Sequence, residues 1–279
     1  MKFSPFNFGG LEKQDFHRAK VVILPIPFEE TTDYIKGTIN GPEAIISASR
    51  ELDEVYQKNL PIFTFDEIEL EGETIKEKME DLEKFILKIL KQKKIPILIG
   101  GEHTISFGSI TAFYKEYRDN FSVLHLDAHC DLLDEYKGSR LNYATVMRRI
   151  RELGTKVVSV GVRSIDEKTL QYVKQNKINI FTSSPISLGK ILKHLKKNVY
   201  LSLDFDVLDP SIMPSVSNPV PGGLTFEDII ILIEKLGRTK KIIGADVVEF
   251  CPIPGLSFPE FLAAKIIYKI LETILNQPP

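Results

Sequence analysis

Residues 198–206 read Asn-Val-Tyr-Leu-Ser-Leu-Asp-Phe-Asp, a mostly apolar run that ends in two carboxylates two positions apart. Such a run, without in-and-out alternation, marks a strand buried on both faces, as in a parallel sheet covered by helices. The strand itself is placed at 198–205, and seven other segments carry the same signature: 20–25, 61–65, 95–99, 121–126, 156–161, 177–181 and 241–248. Helix-like stretches lie between them. Thr74 and Glu77 have the capping-box spacing, and Ile75, Met79, Leu82, Phe85, Ile86 and Ile89 follow at three- and four-residue steps. Pro42 suits the first turn of a helix running to about Tyr56, with Ala44, Ile45, Ala48, Leu52 and Val55 inward. Ser257 and Glu260 repeat the capping-box spacing ahead of Phe261, Ala264, Ile267, Tyr268, Leu271 and Ile274. Alternation along the whole of residues 1–279 predicts one α/β domain of three layers, α/β/α, around an eight-stranded, mostly parallel sheet. Segment 209–224 breaks the pattern with four prolines and two glycines, a long loop of the kind that carries function in compact domains.

Composition narrows the classes. The chain has 279 residues and a formal net charge of −2, which gives no general attraction to nucleic acid or to an anionic membrane. Two cysteines, Cys130 and Cys251, make no disulfide framework and suit a reducing cytosol, so a cytoplasmic location is expected. Met1–Gly10 has no basic segment followed by an apolar core, and no apolar run approaches the ~18 residues of a membrane span.

The chemistry gathers at three strand ends: Gly100-Gly101-Glu102-His103, Asp127-Ala128-His129-Cys130-Asp131, and Asp204-Phe205-Asp206. In open parallel sheets ligands bind outside the carboxyl ends of the strands. Residues two apart on an extended segment point to one side, so Asp127, His129 and Asp131 are placed to converge, as are Asp204 and Asp206. Packing four carboxylates together without cations would raise their pKa values through mutual repulsion, and metal binding relieves that. His103, Asp127, His129, Asp131, Asp204 and Asp206 offer enough oxygen and imidazole ligands for two divalent cations. A set rich in oxygen and free of thiolate suits Mn²⁺ better than structural zinc. The reading is a two-metal hydrolase with a metal-bound hydroxide as nucleophile. Glu249, after strand 241–248, sits beside the same rim, and a buried carboxylate there would match a planar guanidinium. His125 reads as either a support for Asp127 or a packed core histidine, Cys130 as a small filler, and His17 and His194 as surface residues.

In these residues the chain resembles the ureohydrolase family of arginase, agmatinase, guanidinobutyrase and formimidoylglutamase. The resemblance includes Pro27-Phe28, Gly41-Pro42-Glu43-Ala44-Ile45, Leu208-Asp209-Pro210, Gly222-Gly223-Leu224 and Gly244-Ala245-Asp246-Val247-Val248-Glu249. It is most similar to agmatinase-like members of bacteria and archaea. The resemblance implies the arginase/deacetylase-like fold and a pair of Mn²⁺ ions. One ion would be held by His103, Asp127, Asp131 and Asp204, the other by Asp127, His129, Asp204 and Asp206, with Asp127 and Asp204 bridging. A hydroxide shared by both ions would attack the guanidinium carbon, Glu249 would hold the guanidinium, and Asp131 would carry a proton to the departing amine. Agmatine would give putrescine and urea, a step of polyamine synthesis. A trimer or hexamer is also implied.

Two segments depart from the family pattern. Gly138-Ser139-Arg140-Leu141-Asn142-Tyr143-Ala144-Thr145 places Tyr143 where the family has a histidine thought to relay protons. Pro214 to Pro221 replaces the family's usual substrate-gating loop. Tyr143 is therefore read either as the site of a missing relay or as a contact to the substrate's tail. Three functions stay open: a Mn²⁺-dependent hydrolase of a linear guanidine, with agmatine leading and arginase, guanidinobutyrase or formimidoylglutamase activity as alternatives; a feebly active binding or regulatory homologue; and a deacetylase on the same fold.

Overall fold

The computed structural model describes residues 5–53, 60–182 and 186–278. Its eight strands are β1 (Val21–Ile26), β2 (Ile62–Thr64), β3 (Ile95–Gly100), β4 (Phe121–Leu126), β5 (Lys156–Val160), β6 (Asn179–Phe181), β7 (Asn198–Asp204) and β8 (Lys241–Val248). They form one sheet in the order β2-β1-β3-β8-β7-β4-β5-β6, and every pairing is parallel. The central strands are buried along nearly their whole length, which is why the sequence shows them as unbroken apolar runs.

Among the described residues, eight α-helices are placed: α1 (Gly41–Ser49), α2 (Ile75–Lys91), α3 (Ile105–Tyr117), α4 (Val146–Glu152), α5 (Glu167–Gln175), α6 (Leu188–His194), α7 (Phe226–Thr239) and α8 (Phe258–Leu275). Apolar residues of α1, α6, α7 and α8 pack on one face of the sheet, and those of α2, α3, α4 and α5 on the other. The capping box at Thr74 is formed, with the Thr74 side chain accepting from Glu77 N and the Glu77 carboxylate accepting from Thr74 N. At Ser257 the expected cap is not made, although the helix starts there with Pro259 in its first turn. Helix α1 ends at Ser49, short of the expected Tyr56; Val55 and Tyr56 lie outside the described residues. β6 starts two residues late because Lys177 takes a left-handed φ of 49° and Ile178 N still bonds Val173 O at the end of α5. Segment 209–224 is not a strand or helix, yet Met213, Ser215, Val216 and Ser217 are buried in it. No helix among the described residues is long and apolar enough to cross a membrane.

A polar row crosses the otherwise apolar middle of the sheet. Ser159, His125, Ser202 and Asp246 are lateral partners on β5, β4, β7 and β8, so their side chains share a face. The row lies one step below the strand ends that carry the carboxylates.

Candidate metal centre and substrate cleft

His103 follows β3 on a tight turn. Gly101 is required there: a Cβ would stand 2.0 Å from the carbonyl oxygen of Phe28. The turn aims the His103 ring inward, where it is buried, with Nδ1 at 3.1 Å from Asp131 Oδ2, 3.3 Å from Asp127 Oδ2 and 3.5 Å from Asp204 Oδ2. None of these is a well-formed hydrogen bond, and Nδ1 has no partner. A buried nitrogen left unpaired among three carboxylates is the arrangement of ligands that share a cation, so the residues fit a metal ion.

The polar row explains the ring's orientation. Ser202 Oγ donates to Asp246 Oδ1 at 2.7 Å, so at 3.0 Å from His103 Nε2 it accepts the ring's proton. In the neutral imidazole this leaves the Nδ1 lone pair facing the carboxylates. Asp246 is held in turn by Tyr200 at 2.7 Å and Ser106 at 2.8 Å. Outer partners of this kind fix the tautomer of a metal-binding histidine. His125 does the same for Asp127: its Nε2 lies 2.8 Å from Asp127 Oδ2 while Nδ1 meets Ser159 Oγ at 3.1 Å. Both readings of His125 therefore hold, since it is a fully buried core histidine that supports a candidate ligand.

Asp127, His129 and Asp131 converge, although not along an extended strand. Asp131 turns toward His103 through a left-handed φ of 50°, whereas His129 Nδ1 turns to Asp206 Oδ2 at 2.8 Å and Asp127 Oδ1 at 3.4 Å. Asp206 sits in a 3-10 turn, Phe205–Val207, its backbone N–H donating to Asp204 Oδ1 at 2.8 Å and its own Oδ1 accepting from Ala128 N at 2.9 Å. Two groups of ligand atoms result, His103, His125, Asp127 and Asp131 in one, and Asp127, His129 and Asp206 in the other, each compact enough for an ion. Asp127 belongs to both.

Burial raises the carboxyls of Asp131, Asp204 and Asp206, reinforced by the charge of Asp127 and, at Asp204, first by that of Asp206. Asp127 runs the other way: burial opposes its ionisation, but His125, His103 and His129 hold it well below the ordinary carboxylate range. Burial disfavours the imidazolium of His103 and His129, yet the carboxylates outweigh it, taking His103 well up and His129 to about 12. Carboxyls raised in the folded state ionise first in the unfolded chain, so they cost stability as pH climbs past the ordinary 3.8. The raised histidines contribute stability below 6.5 that is lost as pH rises through their folded values. The melting temperature of chelator-stripped protein is therefore expected to fall between about pH 5 and about pH 8, and with Mn²⁺ to rise, because metal binding releases protons. Parallel curves with and without metal would contradict this.

A cleft of about 250 Å³ opens over the cluster, with Asp131, Asp204, Asp206 and Glu249 in its floor and Leu132, Tyr136, Tyr143 and Ile165 in its walls. Glu249 takes a left-handed φ of 63°, fixed by its N–H donating to Gly101 O at 2.8 Å. Its Oε1 accepts from His103 N at 2.6 Å and its Oε2 from the Ser217 hydroxyl. Burial, with the nearby Glu102 adding to it against the Ser217 bond, pushes this carboxyl up to about 8. Tyr143 reaches the cleft too, but its hydroxyl donates to Asp33 Oδ1 at 2.6 Å, away from the carboxylate floor. Burial and Asp33 push its pKa further up. A phenol so held is a poor proton carrier at neutral pH, so the relay role finds no support in this placement.

Three supporting features were not read from the sequence. Ser217 and Asn218 come from the 209–224 loop, Asn218 lying 3.1 Å from His129 Nε2. Arg163 ties that loop to the site: Nη2 donates to Asp206 O and Val220 O at 2.6 Å, and Nε to Val220 O at 3.0 Å. Glu102 is fully buried and accepts from the backbone of Glu30, Thr31 and Thr32 at 2.6–3.1 Å, pinning the loop before Asp33. Glu102 had a visible signal, a second acid beside His103, and Ser217 and Asn218 lay in the loop marked by its length, whereas Arg163 had none. Cys130 is buried with its thiol pushed up to about 12 by burial, as suits a filler, and His17 is exposed, whereas His194 is half-buried against Phe181.

Residues 19–272 match the arginase family. The chain belongs to that family. As an arginase-family member it is 33% identical over 270 residues to the N(1)-aminopropylagmatine ureohydrolase of Thermus thermophilus, covering 93% of this chain and 92% of that one. It is 30% identical to the agmatinase of Pyrococcus horikoshii over 276 residues, 92% and 93% of the two chains. The crystal structure of the agmatine ureohydrolase of Thermoplasma volcanium superposes with a TM-score of 0.84 at 26% identity, covering 98% of this chain and 95% of that one. The all-parallel sheet is thus the arginase-family fold, and the expected family and fold hold.

Proposed function

We propose that residues 1–279 act as one catalytic domain that hydrolyses a linear guanidine with a tail free of carboxylate, releasing urea and an amine. Agmatine is the leading substrate and N(1)-aminopropylagmatine the second, both in keeping with the relatives above. The observation that carries this choice is the charge of the cleft. Asp131, Asp166, Asp204, Asp206 and Glu249 line it, and no lysine or arginine does among the described residues. Asp166 and Glu249 lie outside the proposed metal ligands and would attract a guanidinium and an amine tail, whereas no lysine or arginine of the lining pairs the carboxylate of arginine, guanidinobutyrate or formimidoylglutamate.

His103, Asp127, Asp131 and Asp204 would hold one Mn²⁺, and Asp127, His129, Asp204 and Asp206 the other. Bound there, the two ions would supply a Lewis acid that lowers the pKa of water toward neutrality. Glu249 would grip and orient the guanidinium, its Oε atoms already fixed by His103 N and Ser217. Asp131 would hold a proton for the departing amine. Assembly into trimers or hexamers, a cytoplasmic location and a place in polyamine synthesis belong to the same reading.

A panel assay tests the substrate class. After Mn²⁺ loading, urea release from agmatine and N(1)-aminopropylagmatine should exceed that from arginine and 4-guanidinobutanoate by at least roughly tenfold in kcat/KM. Equal or better turnover of the carboxylated guanidines would reject the choice. No urea from any guanidine would favour a binding homologue.

A further inference from the structure

At the mouth of the cleft a second arrangement stands apart from the carboxylate floor. Tyr136 and Tyr143 pack edge to face, ring centroids 5.8 Å apart at 75°. Both hydroxyls donate to one carboxylate, Tyr143 to Asp33 Oδ1 at 2.6 Å and Tyr136 to Asp33 Oδ2 at 2.9 Å. Phenols bound to an anion become more electron-rich, which strengthens the attraction of their faces for a cation. The carboxylate is held in place, because Glu102 takes the N–H groups of the three residues before it. Asp33 is kept at about 2 by Lys137 and the two tyrosines, so it is an anion at any working pH.

The cluster already holds an alkylammonium, that of Lys137. Its Nζ is ion-paired with Asp33 and lies 5.8 Å from the Tyr136 ring centroid. Lys137 occupies the tip of a two-residue hairpin, closed by Tyr136 N to Ser139 O at 2.9 Å and Ser139 N to Tyr136 O at 3.0 Å. Both tip residues, Lys137 and Gly138, have positive φ, 48° and 79°. Asn or Gly usually fills the first of these positions, where a lysine is mildly strained. Its side chain is 64% exposed, so its ammonium can leave to solvent at little cost.

We propose that Asp33, Tyr136 and Tyr143 form an outer subsite for the distal ammonium of the substrate's tail, which takes the place of the Lys137 ammonium. This rests on the guanidine-hydrolase reading above. The subsite selects among carboxylate-free guanidines, favouring those with an amine at the far end, and gives Tyr143 a recognition role at the position where the family has histidine.

The test compares agmatine with n-butylguanidine, which keeps the guanidinium and the four-carbon chain but lacks the amine, in Mn²⁺-loaded protein. Asp33→Asn should lower the ratio of their kcat/KM values roughly tenfold, mainly through KM for agmatine, and Lys137→Ala should raise it about threefold. A purely structural role for Asp33 would shift both substrates alike and leave the ratio unchanged, which overturns the proposal. Calorimetry with spermidine, a polyamine without guanidine, separates the two readings. Binding that tightens in Lys137→Ala and weakens in Asp33→Asn supports the subsite even if no guanidine is hydrolysed. Spermidine affinity indifferent to both variants, with an unchanged substrate ratio, rejects the subsite whether or not urea is released.

Discussion

Replacing Asp127 by asparagine is expected to cut urea release by well over roughly 100-fold, the scale on which even an outer partner's loss is felt, and to lower metal occupancy below two per chain. Asp127 is the one carboxylate that belongs to both ligand groups, with Oδ2 near His103 and Oδ1 near His129. An amide keeps the shape but offers one oxygen and no charge, so both ions should weaken together. Asp204→Asn should behave alike if Asp204 bridges. His129→Asn removes a residue of one group only and should chiefly empty that position. Metal analysis of the three variants by inductively coupled plasma spectrometry, beside kcat, checks the pattern. Full occupancy with full activity in Asp127→Asn would remove the bridging role.

Glu249→Gln should keep both metals and lower kcat/KM by at least about tenfold, because a hydrogen bond to a charged group is worth roughly 1.5–3 kcal/mol. The variant carries a second signature in pH. Burial holds the Glu249 carboxyl near 8, so below that value the protonated form grows and cannot pair with a guanidinium. The parent's kcat/KM should therefore fall on the acid side, and Glu249→Gln should flatten that limb. Retained kcat/KM with retained metals would return Glu249 to a scaffolding role, holding His103 N and Ser217.

Strand positions were legible because a strand buried on both faces cannot hide its apolar run. Phe121–Leu126 and Lys241–Val248 fall where the sequence places them, and β5 stops one residue early where Gly161 adopts a φ of 97°. The convergence of the acids and imidazoles was legible because three such clusters stand at strand ends along one rim of a parallel sheet. What spacing misjudged was the route: Asp131 reaches His103 through a left-handed kink, and Asp206 is brought in by a 3-10 turn. The outer supports were not legible. Ser202 and Asp246 look like lapses in apolar strands, and only the parallel register sets them side by side under His103. Asp33 meets Tyr143 across 110 positions of sequence, and Ser217 meets Glu249 across 32, contacts that depend on loop paths no local pattern encodes.

The central claim is that this cluster works as a pair of cation sites that activate water against a guanidine. Chelator-stripped protein titrated with Mn²⁺, with urea released from agmatine read at each step, tests it most directly. The account predicts no urea at the start and a rise that levels off at two Mn²⁺ per chain. Full urea release in excess chelator, or activity that never follows stoichiometric binding, would contradict it.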